Sequence, residues 1–261
     1  MAHASNQSLK DHVVLVTGAS SGIGRASALE LARRGAKVVV SARRMAPLAD
    51  LVAQIKAEGF EATAVGADIN VEQDVIALVA KAVSTYGRLD AAFNNAGTEG
   101  QFSPFVEQSN DVYDTIFNAN VRGVFWSMKH EAKAMLAQGG GSIVNNASMG
   151  GVIGFGNAAL YVASKHAVIG LTNRPHQDGI HRIVQARHSR QCRLPGPDRY
   201  AVPRPNLAVA RGQGEIRQKL RSRAAWGTSE EIAAVVAFLA SSDSSFVSGH
   251  SLLADGGYSV A

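Results

Sequence analysis

The sequence predicts an α/β protein, a doubly wound parallel sheet in three α/β/α layers built as a single domain. Three observations predict it. Short apolar runs alternate with segments of helical periodicity from residue 13 onward, the pattern of repeated β-α-β units whose sheet is covered on both faces. A glycine-rich turn joins the first strand to the first helix. A chain of 261 residues with 46% hydrophobic composition is long and apolar enough to bury one substantial core.

The elements come in this order. Residues 13–17 form a continuous apolar strand, and 22–34 a helix that stops at Gly35. Residues 37–41 are the second strand, and 46–58 a helix ending at Gly59. The third strand spans 61–67 and the third helix 71–86. Residues 89–93 are the fourth strand, followed by one long helix over 111–137 that Gly139-Gly140-Gly141 terminates. The fifth strand covers 142–146 and its helix 159–171. Near the end, 229–240 is a helix with Thr228 or Ser229 as its cap, and 251–253 a short last strand.

Bulk properties narrow the function. No run of about 18 apolar residues exists, so no membrane span is expected. Residues 1–10 are polar and lack the apolar stretch of a signal peptide; they read as a short arm ahead of a catalytic domain over 11–261. The only cysteine is Cys192, which excludes an intrachain disulfide and fits a reducing, cytoplasmic setting. No Cys/His or carboxylate cluster has metal-ligand spacing, so no metal is assigned. The net charge of +5 invites a nucleic-acid reading. Residues 173–212, however, hold eight arginines against two aspartates, so that stretch carries +6 and the remainder −1. The basicity is local, and no nucleic-acid partner is expected.

The turn Thr17-Gly18-Ala19-Ser20-Ser21-Gly22-Ile23-Gly24 has a nucleotide-binding logic. Gly18 permits a tight turn, Gly22 lets backbone approach a pyrophosphate, and Gly24 lets helix pack against strand. The helix N-terminus then faces the phosphates with free N–H groups and a positive dipole end. The second strand ends Ser41-Ala42-Arg43-Arg44, with no acid to hold a ribose 2′-hydroxyl. Arg43, with Arg44 beside it, can pair with a 2′-phosphate. NADP(H) is favoured, with NAD(H) as the alternative.

Tyr161 and Lys165 stand at i and i+4, on one face of one helix. A free tyrosine has a pKa near ~10, and a lysine ammonium one turn away favours its phenolate. That pair suits proton exchange with an alcohol or a carbonyl.

With its G-x-x-x-G-x-G spacing, the chain resembles the short-chain dehydrogenase/reductase family over about 11–172 and 213–258. Asn94-Asn95-Ala96-Gly97 after the fourth strand, Asp68-Ile69 after the third, and Asp255-Gly256-Gly257 near the end extend the likeness. The resemblance implies a Rossmann-type fold and an NAD(P)-dependent oxidoreductase acting on a secondary alcohol or ketone. It implies that Ser148, thirteen residues before Tyr161, hydrogen-bonds the substrate oxygen, and that Lys165 also binds the nicotinamide ribose. Asn120 matches the family's helical asparagine on the proton relay, Asp68 its adenine contact, and Pro195-Gly196 its cofactor loop. Many relatives are homotetramers, paired through the long fourth and fifth helices and the C-terminal strand. The substrate itself is not readable. The rival class is a non-catalytic dinucleotide-binding or sensing protein, against which the full set of Asn120, Ser148, Tyr161 and Lys165 argues.

Residues 173–212 depart from this pattern. A buried sixth strand belongs there, yet 188–193 read His-Ser-Arg-Gln-Cys-Arg, and burying unpaired charge costs several kcal/mol per ion. One permitted back-translation of 187–201, read one base later, gives Gly-Ile-Arg-Val-Asn-Ala-Val-Cys-Pro-Gly-Pro-Ile-Asp-Thr-Pro. That is a strand followed by a family-like Pro-Gly loop, which points to a reading-frame error. The alternative is a genuine arginine-rich insertion that binds an acidic partner.

Overall fold

The computed structural model describes residues 7–173, 181–186 and 227–260. Seven parallel strands form one sheet in the order β3-β2-β1-β4-β5-β6-β7. They are β1 (Val13–Thr17), β2 (Lys37–Ala42), β3 (Ala62–Gly66), β4 (Ala91–Asn94), β5 (Ser142–Asn146), β6 (His181–Ala186) and β7 (Ser251–Ala254). The helices are α1 (Gly22–Arg33), α2 (Met45–Ala57), α3 (Glu72–Tyr86), α4 (Asn110–Phe117), α5 (Gly123–Leu136), α6 (Ala159–Thr172) and α7 (Ser229–Ala240).

β1 is buried along its whole length because its two faces feed two cores. Val14 and Val16 join Leu31, Leu48, Ile55, Val236 and Leu239 on one side. Val13 and Leu15 join Leu78, Leu89, Met128 and Ile143 on the other. The strand order reverses between β1 and β4, and that reversal opens a crevice at the C-terminal ends of the strands.

Four local departures from the sequence reading have physical causes. Leu9 is fully buried, and its N–H donates to the Arg34 carbonyl. Residues 7–10 therefore pack onto the α1–β2 turn instead of forming a free arm. β4 begins at Ala91 because Leu89 gives its N–H and carbonyl to the Gln138 side chain. The helix expected as one piece over 111–137 is split by a π-helical turn, Asn118–Arg122. The side chain of Asn120, in that turn, bonds outside the helix. Finally, the sixth strand lies at His181–Ala186, ahead of the expected 188–193, on the β-branched pair Ile183-Val184. Residues 187–201, with Pro195 and Gly196, lie outside the described residues.

Candidate active site

The glycine turn closes the C-terminal end of β1. Gly18 has φ +66°, and a Cβ there would lie 2.8 Å from Ala96 Cα. A Cβ on Gly24 would collide with the Gly18 carbonyl, so helix and turn meet only because both residues lack one. Thr17 Oγ1 accepts from the N–H groups of Asn95 and Ala96 at 3.1 and 3.2 Å. Ser20 and Ser21 are partly exposed at the mouth of the turn, and Ile23 is buried beneath it. α1 starts with no side-chain cap from Ser21 and no acid in its first turn. Its first N–H groups are thus left for another acceptor. Left-handed Gly18 and Gly22 and this acid-free helix start fit the diphosphate of a dinucleotide.

The flanking residues fall around the same crevice. Asn95, Ala96 and Gly97 follow β4, and a Cβ on Gly97 would sit 3.8 Å from Lys165 Nζ. Asp68 accepts from Asn70 N–H at 3.0 Å and holds the turn after β3, while buried Ile69 packs where a Cβ of Gly123 would be. Arg43 and Arg44 are exposed just past β2 and form no ion pair among the described residues.

Ser148, Tyr161 and Phe155 converge on one point. A Cβ on Gly150 would lie 3.3 Å from Tyr161 Cε1 and Phe155 Cε2, and 3.5 Å from Ser148 Oγ. Ser148 Oγ accepts from Gly150 N–H at 3.1 Å. The Phe102 ring lies 6.3 Å from that of Tyr161. Lys165 is buried, its Nζ 5.8 Å from the Tyr161 ring centre, and donates to the Asn146 carbonyl at 2.9 Å. Asn120 is fully buried; its side chain accepts from Thr98 N–H and donates to Thr98 O, both at 2.8 Å. It also donates to Ser164 Oγ at 3.0 Å, and Ser164 donates to Tyr161 O at 2.7 Å.

Electrostatics correct one expectation. Burial pushes the Tyr161 hydroxyl up to about 12, the Ser148 hydrogen bond opposes this, and the Glu99 carboxylate adds to the rise. Burial lowers Lys165 to about 8, with Glu99 opposing. Burial dominates at the phenol, and Lys165, held on the Asn146 carbonyl, does not bring it toward neutral pH. At pH 7 the pair stands as a neutral phenol beside an ammonium.

The family model described as short chain dehydrogenase matches residues 12–186, two thirds of the sequence and every part of this site that the structure describes. The chain belongs to the short-chain dehydrogenase family. A second family model, described as Enoyl-(Acyl carrier protein) reductase, matches this short-chain dehydrogenase over residues 202–259. It is similar to the A-factor type gamma-butyrolactone 1'-reductase (1S-forming) of Streptomyces virginiae, at 41% identity, with 97% of each chain covered. It is similar to the cyclohexanol dehydrogenase of Acinetobacter sp. (strain SE19), at 37% identity, with 99% of each covered. The crystal structure of levodione reductase superposes with TM-score 0.80 at 33% identity, covering 97% of this chain and 99% of that one. This short-chain dehydrogenase is accordingly an NAD(P)-dependent oxidoreductase. Its sequence announced the glycine turn and the Ser148, Tyr161 and Lys165 set. It did not announce Thr17, Thr98, Glu99, Asn146 or Ser164; a polar doublet at the end of a buried strand, Asn145-Asn146, was the one available signal.

Proposed function

We propose that this enzyme interconverts a neutral cyclic secondary alcohol and its ketone, with Tyr161 as general acid/base and NADP(H) favoured over NAD(H). The carrying observation is the convergence of Ser148 and Tyr161 on one point, one helical turn from a buried Lys165. The names of the cyclohexanol dehydrogenase and levodione reductase supply the substrate class. A bound nicotinamide supplies the hydride or takes it up. In the reductive direction the Tyr161 phenol gives its proton to the carbonyl oxygen, and Ser148 donates a hydrogen bond to that same oxygen. Lys165 keeps a positive charge beside the phenolate that remains, and Asn120 fixes the loop that backs it. Exposed Arg43 reaches for a 2′-phosphate. Assembly as a homotetramer and a cytoplasmic location rest on the family resemblance and on the single cysteine.

Tyr161→Phe tests the chemistry, with cyclohexanol and cyclohexanone as probes. Turnover is expected to fall by about 10²–10⁴ while NADPH still binds; near-normal turnover would sink the assignment. Arg43→Ala tests the nucleotide choice. NADPH affinity by calorimetry is expected to drop about tenfold or more, with NADH unaffected. Equal NADPH affinity in the variant defeats the preference for NADP(H).

We infer further that residues 187–201 derive from a shifted reading frame. The two family models stop at 186 and resume at 202, and the shifted reading of that interval yields fifteen consecutive family-like residues. Peptide mapping of the purified protein decides it; peptides carrying His-Ser-Arg-Gln-Cys-Arg would refute it.

A further inference from the structure

β5 ends on Asn146, and this residue touches both halves of the candidate site. Its Nδ2 donates to Asn95 Oδ1 at 2.9 Å. Asn95 in turn donates from Nδ2 to the carbonyls of Thr17 and Gly18, at 3.2 and 3.3 Å. The Asn95 amide therefore closes the glycine turn from the β4 side, and its orientation is fixed at both ends. The Asn146 carbonyl, meanwhile, holds Lys165 Nζ at 2.9 Å. One residue thus braces the nucleotide turn through its side chain and the ammonium through its main chain.

We propose that Asn146 is a positioning residue that couples the glycine turn to Lys165, so that seating a dinucleotide and placing the lysine ammonium are linked. The inference rests on the roles assigned above to the glycine turn and to Lys165. Packing alone does not account for an asparagine here. Its Oδ1 is buried with no hydrogen-bond partner among the described residues, and a buried unpaired acceptor costs about 1–3 kcal/mol. A valine would avoid that cost at the end of a buried strand. What valine lacks is the donor that fixes Asn95. Without it, Asn95 Oδ1 loses its partner, and the amide is free to turn away from the Thr17 and Gly18 carbonyls. The backbone of the turn, held to β4 partly by those two bonds, then loosens on the side where phosphate would lie. The end of β5 loses its tie to β4 at the residue that carries the lysine.

The test uses the full-length chain with Asn146→Val and Asn146→Asp. The aspartate keeps the shape but presents an acceptor to Asn95 Oδ1, and it serves if the valine variant does not fold. Fluorescence titration with NADPH and NADH is expected to show Kd raised about 3- to 10-fold in both variants, the loss of one net hydrogen bond. With cyclohexanol as probe, nucleotide KM should rise while cyclohexanol KM stays within about twofold, because one hydrogen bond on the nucleotide side is lost and none on the substrate side. A double-mutant cycle on nucleotide Kd with Lys165→Met reads the coupling itself. Losses smaller than the product of the single effects support it; strictly multiplicative losses overturn it. Unchanged nucleotide Kd in both variants, even with a lowered melting temperature, makes Asn146 a packing residue. Tyr161→Phe carried through the same assays separates the two readings. Full turnover in that variant defeats the catalytic assignment and leaves the titrations to decide Asn146, whereas a wild type that binds neither nucleotide defeats both.

Discussion

Two helices that share one core, α1 and α7, begin in opposite ways. Both contribute buried residues to the same layer, Ala28 and Leu31 from one, Ile232, Val236 and Leu239 from the other. α7 completes its own N-terminus. Thr228 Oγ1 accepts from Glu231 N–H at 3.2 Å, and Glu231 Oε2 accepts from Thr228 N–H at 2.7 Å, a reciprocal capping box. Glu230 and Glu231 place negative charge against the positive end of the helix dipole. α1 has neither device, and α2, which comes after Arg43 and Arg44, also starts without a side-chain cap or an acid. The starts that follow β1 and β2, at the glycine turn and at Arg43-Arg44, are left incomplete, and α7 closes its own. A bare helix start costs stability unless something else meets its N–H groups. Beside Gly18, Gly22 and Gly24, an anion meets that need.

Giving α1 what α7 has breaks the comparison most forcefully. Ser21 has φ −165°, an extended conformation that suits an N-cap. Ser21→Asp is expected to hold or raise the melting temperature. Like-charge repulsion of several kcal/mol should weaken NADPH and NADH binding by about 100-fold or more. Unchanged affinity by calorimetry would remove the diphosphate from this helix start.

A buried acid that is met at one oxygen and not at the other gives the next largest effect. Glu131 on α5 is fully buried; its Oε2 accepts from Asn94 Nδ2 at 2.8 Å, and its Oε1 has no hydrogen-bond partner among the described residues. Burial raises its carboxyl to about 7, with the Asn94 hydrogen bond opposing. The folded value lies above the unfolded one, so the native state holds this proton more tightly. The associated stability is full below about pH 4.5, falls as pH rises, and is lost once pH passes about 7. Glu131→Gln should flatten this slope and add about 3 kcal/mol at pH 8, an order-of-magnitude figure from the shift. Urea titrations at pH 5 and pH 8 check it; equal pH slopes in both proteins would count against a buried proton at Glu131.

The smallest effect sharpens the contrast from the other side. Thr228→Ala removes the α7 cap and should cost about 1 kcal/mol of stability, read as a lower urea midpoint. Nucleotide affinity should not move, since the α7 start is satisfied by its own capping box. A matching loss of NADPH binding would show that the two helix starts are not independent.

What the sequence disclosed and what it concealed divide along range of interaction. β1 and β2 show as apolar runs, and the glycine turn, Tyr161 and Lys165 as short spacings, because local rules decide them. The start of β4 was misplaced because the Gln138 side chain captures Leu89 from across a helix. The π turn was hidden because Asn118-Ala-Asn-Val-Arg contains no helix breaker; Thr98 and Ser164, distant in the chain, draw Asn120 aside. Thr17, Thr98 and Asn146 escaped for the same reason: each acts on a partner that only the fold brings near. The sixth strand was expected by position in a family pattern and formed instead where β-branched residues allow it.

The π turn has a consequence for how this chain can change. Each residue of an α-helix advances the side chains by about 100° around the axis. The wider turn at Asn118–Arg122 accommodates an extra residue without rotating α5 beyond it. Deleting the residue that the wide turn absorbs would restore a regular helix and leave the face of α5 where it is, whereas the same deletion within α5 would swing that face by roughly that angle. Val124, Met128 and Met135, now in the core, keep their layer in the first case and turn toward solvent in the second. The irregularity acts as a slip joint. What its loss costs is the set of bonds from Asn120 to Thr98 and Ser164, not the packing of a whole layer.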